Sequence, residues 1–192
     1  MTIIKMFFSI IAAIFMVLPA MHVCTAENMP EKGSSFPSIT LLIPEKDAER
    51  AYLGLTGKGT FTIPQIKAEL VIVEIYSMYC PYCQKEAPIV NDLYQAIDRK
   101  PGLKEKIKII GIGAGNTTFE LDIFRNQYNV QFPLFADESF AVHKKVGEVR
   151  TPHFFVLKMN TDGSNKIIYS QTGSIQDSAR FLDFILQESG LK

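Results

Sequence analysis

The sequence predicts an α/β fold, a central mixed β-sheet flanked by helices, and three observations carry that expectation. Residues 70–76 are apolar at both parities, as a strand covered on both faces must be. Helical periodicity and a second apolar strand follow, completing a βαβ unit with parallel strands and a right-handed crossover. Two further apolar strands around the turn Asn160-Thr161-Asp162-Gly163 form a hairpin, which brings antiparallel pairing into the sheet.

The elements read in order from the N-terminus. Residues 1–26 carry one cation, Lys5, ahead of an apolar run over residues 6–18. That is the pattern of an export signal, and it falls short of the roughly 18–20 apolar residues of a spanning helix. Cys24-Thr25-Ala26 offers small residues where a signal peptidase needs them, so cleavage is expected before Glu27 and discards Cys24. A lipid-modified Cys24 would want small residues where His22 and Val23 stand. Residues 27–35 are polar and turn-rich and read as a linker. Residues 36–192 read as the domain, with order beginning near Phe36.

Residues 39–43 and 61–66 read as strands, with Gly54, Gly57 and Gly59 making the segment between them a loop. The strand at 70–76 holds one anomaly, Glu74. Ala87, Val90, Leu93, Tyr94 and Ile97 recur at helical spacing as far as Pro101-Gly102, and Pro88 is expected to interrupt that helix. Residues 107–112 are the next buried strand, and Leu121, Phe124 and Tyr128 mark a following helix. After the apolar segment 132–135 and a short helix at 140–146, residues 153–157 and 166–170 make the hairpin. Ile175, Ala179, Leu182, Ile185 and Leu186 form an amphipathic closing helix.

Composition narrows the function classes. At 192 residues, 47% hydrophobic and 21% charged, the chain fits one globular domain. Removal of the leader takes away Lys5 and leaves 19 basic against 20 acidic side chains, a balance that gives nucleic acid no foothold. It also leaves two cysteines, both in the stretch SMYCPYCQKEAP. A bridge from Cys80 to Cys83 closes too small a loop to stabilise much. A zinc site lacks ligands, because His143 and His153 lie at no ligand spacing from the pair. Thiol–disulfide chemistry in an oxidising compartment is the use these observations favour, and it needs no cofactor.

With Cys-x-x-Cys at the first strand-to-helix junction, the order βαβ, hairpin, helix is the plan of the thioredoxin fold. From about residue 36 to residue 186 the chain resembles the TlpA/ResA-like thiol-disulfide oxidoreductases, through VEIYSMYCPYCQKEAP and VRTPHFFVL. The resemblance implies an N-terminal β-extension, a βα segment inserted between the halves of the fold, and export to a bacterial periplasm. It implies protein thiol or disulfide substrates and a membrane thiol-reductant donor, with the membrane itself a partner only if the leader stays uncleaved. It further implies a cis Thr151–Pro152 bond facing the cysteines, with Thr151, Pro152, Tyr79 and Tyr82 around the substrate. Tyr79 stands where the family usually has tryptophan, a residue this chain lacks. Cys-Pro-Tyr-Cys also occurs in glutaredoxins, from which length and the export signal separate the chain.

At a helix N-terminus Cys80 would meet unpaired N–H groups and the positive end of the dipole, which favour a thiolate and make it the nucleophile. Cys83, one turn on, would be the resolving thiol. Glu74 lies six residues before Cys80, where thioredoxins carry a buried acid. Desolvation would raise its pKa toward a value suited to relaying the Cys83 proton. Two other readings stay open. Ser77-x-x-Cys80 imitates a thiol peroxidase of peroxiredoxin type, although Val73 stands where the peroxidase proline falls. Paired thiolates also suit a non-catalytic Cu(I)- or partner-binding module. Glu86 and Pro88 fit the family pattern after the second cysteine, with helix-dipole partner and kink as their alternative roles. His153 reads as a half-buried strand histidine or a modulator, and His143 as a surface residue.

Overall fold

The strand Leu70–Tyr76 (β3) is buried along its whole length and organises everything else. The computed structural model describes residues 29–191; the export-signal reading, Cys24 and the cleavage site before Glu27 lie outside them. The remaining strands of the main sheet are β4 (Ile107–Ala114), β5 (Leu134–Asp137), β6 (His153–Met159) and β7 (Asn165–Thr172), while β1 (Thr40–Leu42) and β2 (Thr60–Thr62) pair separately as an antiparallel N-terminal extension. The helices are α1 (Asp47–Leu53), α2 (Pro81–Asp98), α3 (Pro101–Lys104), α4 (Thr118–Tyr128), α5 (Ala141–Lys145) and α6 (Ser178–Ser189). The sheet order is β5-β4-β3-β6-β7, parallel from β3 through β5 and antiparallel from β3 to β7.

Alternation along β3 sorts its residues onto two faces, each with its own core. Leu70, Ile72 and Tyr76 pack with Val90 and Leu93 of α2 and with Phe181, Leu182 and Ile185 of α6. Val71, Val73 and Ile75 face the other way, against Ile39, Leu41 and Phe61 of the extension and Val142 and Val146 around α5. The expected inserted βα segment is β5 with α5, between α4 and β6.

Four expectations are corrected. The segment between β1 and β2 is not a loop throughout but holds α1, opened by Asp47 and Glu49 in its first turn and stopped by Gly54 in the left-handed region. Leu53 plugs the core beneath it, and Glu49 reaches Arg125 of α4 at 3.1 Å. The second strand ends at Thr62, because Pro64 and the reciprocal Thr62–Gln65 cap start a 3-10 turn over Ile63–Gln65. Helix α2 runs unbroken through Pro88, which lies on the exposed face, where water can take the carbonyl left without a donor. Finally, the chain is held before Phe36. Gly33 N–H donates to Ile167 O and Ile167 N–H to Ser34 O along the β7 edge, and Ser170 Oγ donates to Pro30 O. These bonds cover an edge that would otherwise be open to pairing.

Candidate active site

At the C-terminal end of β3 the chain turns sharply into α2, and three bonds fasten that turn. Cys80 N–H donates to Ser77 O at 3.0 Å, Met78 N–H to Asn116 Oδ1 at 2.9 Å, and Gln84 Nε2 to Met78 O at 2.8 Å. Cys80 is thereby the N-cap of α2, followed by Pro81 at a position where the missing N–H costs nothing. Its Sγ accepts from Cys83 N–H at 3.4 Å and lies 3.3 Å from the Thr151 carbonyl oxygen, to which the thiol donates. The Thr151–Pro152 bond is cis.

The two thiols are driven apart in acidity. Partial burial pushes the Cys80 thiol up, but the Thr151 side chain and the Cys83 and Tyr82 N–H groups offset this by favouring the thiolate, and it settles below the ordinary thiol value. Cys83 is fully buried, and desolvation raises it far above that value, with Cys80 and the Glu74 charge adding to the rise. One group is therefore the readier thiolate and the other is held as a thiol.

Glu74 lies on the face of β3 that α2 covers, 4% exposed. Desolvation raises its pKa to about 8, with the charges of Glu86 and Cys80 acting in the same direction. The expected acid is thus beneath the cysteines and electrostatically coupled to both. Tyr79 and Tyr82 flank Cys80 as exposed rings, 65% and 72% accessible, and the Tyr79 hydroxyl donates to Glu120 at the start of α4. Thr151 and Pro152 complete the predicted set, so all seven predicted site residues converge on one end of the sheet.

Glu86 and Asn116 belong to the same site, and the sequence left the first undecided and the second unnoticed. Glu86 is buried one turn beyond Cys83 and accepts from Ile175 N–H at 2.8 Å, tying α2 to the segment before α6. Its place in the pattern after Cys83 was the available signal. Asn116 is fully buried and holds the turn before Cys80, a contact that depends on where β4 ends in space. His153 does not join the site. It pairs with Ile75 and faces the opposite core, where its ring nitrogens meet Thr172 Oγ1 at 2.8 Å and Ser170 Oγ at 3.1 Å. Burial lowers its pKa to about 4. His143 is not a free surface residue, since its Nε2 lies 2.9 Å from Val149 O.

Known proteins place this geometry. The AhpC/TSA family profile matches residues 33–176. The chain is 29% identical over 112 residues to the thiol-disulfide oxidoreductase ResA of Bacillus thuringiensis, covering 58% of this chain and 59% of that protein. It is 24% identical over 153 residues to ResA of Geobacillus thermodenitrificans, covering 80% and 77%. The match thus spans about three fifths of the first relative's length. Among solved structures, the thioredoxin domain of a thiol-disulfide oxidoreductase from Bacteroides vulgatus superposes with a TM-score of 0.60 at 16% identity, over 81% of this chain and 99% of that one. StoA from Bacillus subtilis does so with a TM-score of 0.55 at 16% identity, over 78% and 98%. These superpositions establish a thioredoxin-like fold.

The raised pKa of Glu74 has a consequence for stability. Unfolded, the carboxyl loses its proton near pH 4.5; folded, it keeps it to about pH 8. Between those values the native state binds more protons than the unfolded state, so stability falls as pH rises, by at most about 1.4 kcal/mol per pH unit from this group. Burial of the neutral His153 gives an opposite slope below pH 6.5, so denaturant unfolding should show the fall between pH 6.5 and 8 in the wild type and its loss in Glu74→Gln. Parallel curves for the two proteins would remove Glu74 as the source.

Proposed function

The chain belongs to the AhpC/TSA family, and within that family we propose that it is an exported thiol-disulfide oxidoreductase acting on protein disulfides through Cys80 and Cys83. The observation that carries the reading is the opposed acidity of two thiols one helical turn apart, the half-buried one at the N-cap of α2 and the fully buried one beneath it. A redox relay needs that asymmetry, and a structural disulfide does not.

In the reducing direction the Cys80 thiolate attacks one sulfur of the substrate disulfide. Its S–S bond breaks, the far sulfur leaves as a thiolate, and substrate is joined to Cys80 as a mixed disulfide. Cys83 then gives up its proton, attacks Cys80 Sγ and expels the second substrate thiolate. Two electrons pass to the substrate, which takes up two protons, and the protein is left as the Cys80–Cys83 disulfide. A membrane thiol-reductant donor would return it to the dithiol.

Glu74 is the group that takes the Cys83 proton, since its carboxylate form grows through the neutral range and its position couples it to both sulfurs. Thr151 and the cis-Pro152 face Cys80 where an extended substrate segment would lie, with Tyr79 and Tyr82 on either side. The second thiol against Cys80 favours dithiol exchange over the peroxidase reading that Ser77-x-x-Cys80 suggested. Residues 1–26 supply the export signal, and the chain after them, held along the β7 edge from Pro30 onward, belongs to the catalytic domain, in a bacterial periplasm. Among the described residues no helix is long and apolar enough to cross a membrane.

Three outcomes are expected. Cys80→Ser abolishes reduction of a model protein disulfide, whereas Cys83→Ser accumulates mixed disulfides with substrate, visible on non-reducing gels; trapping by Cys80→Ser instead would exchange the roles. Glu74→Gln slows reduction near neutral pH about tenfold or more, a general-base-sized loss, and its rate lacks the rise that ionisation of Glu74 gives the wild type toward pH 8. Superimposable pH–rate profiles would return the mechanism to the cysteines and the helix dipole alone. Mass spectrometry of the exported protein finds an N-terminus at or near Glu27; an intact Met1 or an acylated Cys24 would put a membrane-tethered form in place of the free one.

A further inference from the structure

Between Tyr79 and Thr151 lies an open groove of about 500 Å³, with Tyr79 and Phe140 as aromatic walls, Ala114 and Gly115 as floor, and Glu148 to Thr151 along the edge. Phe140 is out of keeping with a passive wall. It has φ +59°, a conformation that suits glycine and disfavours a bulky side chain, and its ring is 44% exposed. Two arrangements nonetheless hold it in place. The buried Asp137 carboxylate accepts from Val142 and His143 N–H, and Asp137 O accepts from Phe140 N–H at 2.9 Å, which locks the turn. Gly115 leaves the space the ring occupies, since a Cβ there would come within 2.2 Å of it.

The other sides of the groove are equally fixed. Tyr79 is bonded to Glu120, which also takes part in the cap of α4 with Thr117. His143 joins α5 to Val149 O, so the Phe140 turn and the segment leading to Thr151 form one unit. Along that segment neither the Arg150 nor the Thr151 N–H has a hydrogen-bond partner among the described residues. The groove therefore combines a preorganised apolar slot with an open backbone edge, and Thr151 leads directly to Cys80.

We infer that this groove is a specificity pocket for a bulky apolar side chain, aromatic above all, lying within about two residues of the disulfide cysteine in an extended polypeptide substrate. Phe140 is its specificity-determining residue. The inference rests on the oxidoreductase reading and adds the substrate class: unfolded segments in which a half-cystine has an apolar neighbour. A large ring held in a left-handed turn, packed on Gly115 and His143 yet 44% exposed, lines the groove whose edge at Thr151 touches the nucleophile.

The test takes the reduced full chain and peptides whose single cysteine is disulfide-linked to thionitrobenzoate, with flanking residues Gly, Lys, Leu or Phe. Release of coloured thionitrobenzoate gives the rate of attack on the peptide sulfur. Phe and Leu peptides should react about tenfold faster than Gly peptides, the discrimination expected of an apolar pocket. In Phe140→Gly, whose backbone suits the left-handed turn, and in Phe140→Asn, which also tolerates it, the Phe-to-Gly ratio should fall to within twofold, with melting temperatures at or near the wild-type value. A wild-type ratio near one, a preference for Lys peptides, or a ratio unchanged in both variants would overturn the pocket. No release from any peptide by the wild type would overturn the oxidoreductase reading and the pocket with it.

Discussion

Desolvation beneath the first turn of α2 is the constraint on which the rest of the site depends. Cys83, Glu74 and Glu86 are all buried there, on the face of β3 whose other residues are Leu70, Ile72 and Tyr76. Such an environment disfavours a charge on either Cys83 or Glu74, so Cys83 stays a thiol and Glu74 keeps its proton into the neutral range. Cys80 differs because it lies at the edge of this region, where backbone N–H groups aim at its sulfur. The opposition between the two thiols is therefore a gradient of hydration across one helical turn.

That gradient survives only if the turn cannot relax. Asn116 from the end of β4, Gln84 from α2 and Ser77 from the turn itself each hold one of its backbone groups, and Glu86 ties the next turn of α2 to the segment before α6. None of these groups touches the sulfurs, yet together they set how far Cys80 reaches toward Thr151 and how deeply Cys83 is covered. Their placement follows from the sheet: β4 lies beside β3 in parallel, so both deliver their C-terminal ends to the same edge.

Most of this was legible where the residue pattern itself carried the physics. Continuous apolarity marked β3 to the residue, and a carboxylate within it stood out because burying one is costly. Cys-Pro-Tyr-Cys announced its helix through the proline. Helix α1 was hidden because its glycines suggested interruption, although Gly54 in fact ends a helix whose one deep contact is Leu53. Asn116 could not be read at all, since its importance arises from a contact across 38 positions of sequence. His153 shows how little separates the two cases. It pairs with Ile75, one position from Glu74, and that single step of the pleat takes it to the other core.

The same parity separates chemistry from recognition. The ionisable groups of the relay descend from β3 and α2 into one core, while the wall contributed by Phe140 stands on the inserted β5–α5 segment, whose apolar residues Val142 and Val146 pack into the other core. A change at Phe140 thus leaves untouched the burial that sets the acidity of Cys83 and Glu74, and a change at Glu74 leaves the groove its shape. The elements meet in the Cys80 turn, where Tyr79 lines the groove, and at Thr151, whose carbonyl touches Cys80 and whose segment is braced by His143. On such a scaffold the groove can be altered from the β5–α5 segment without disturbing the burial of Cys83 and Glu74.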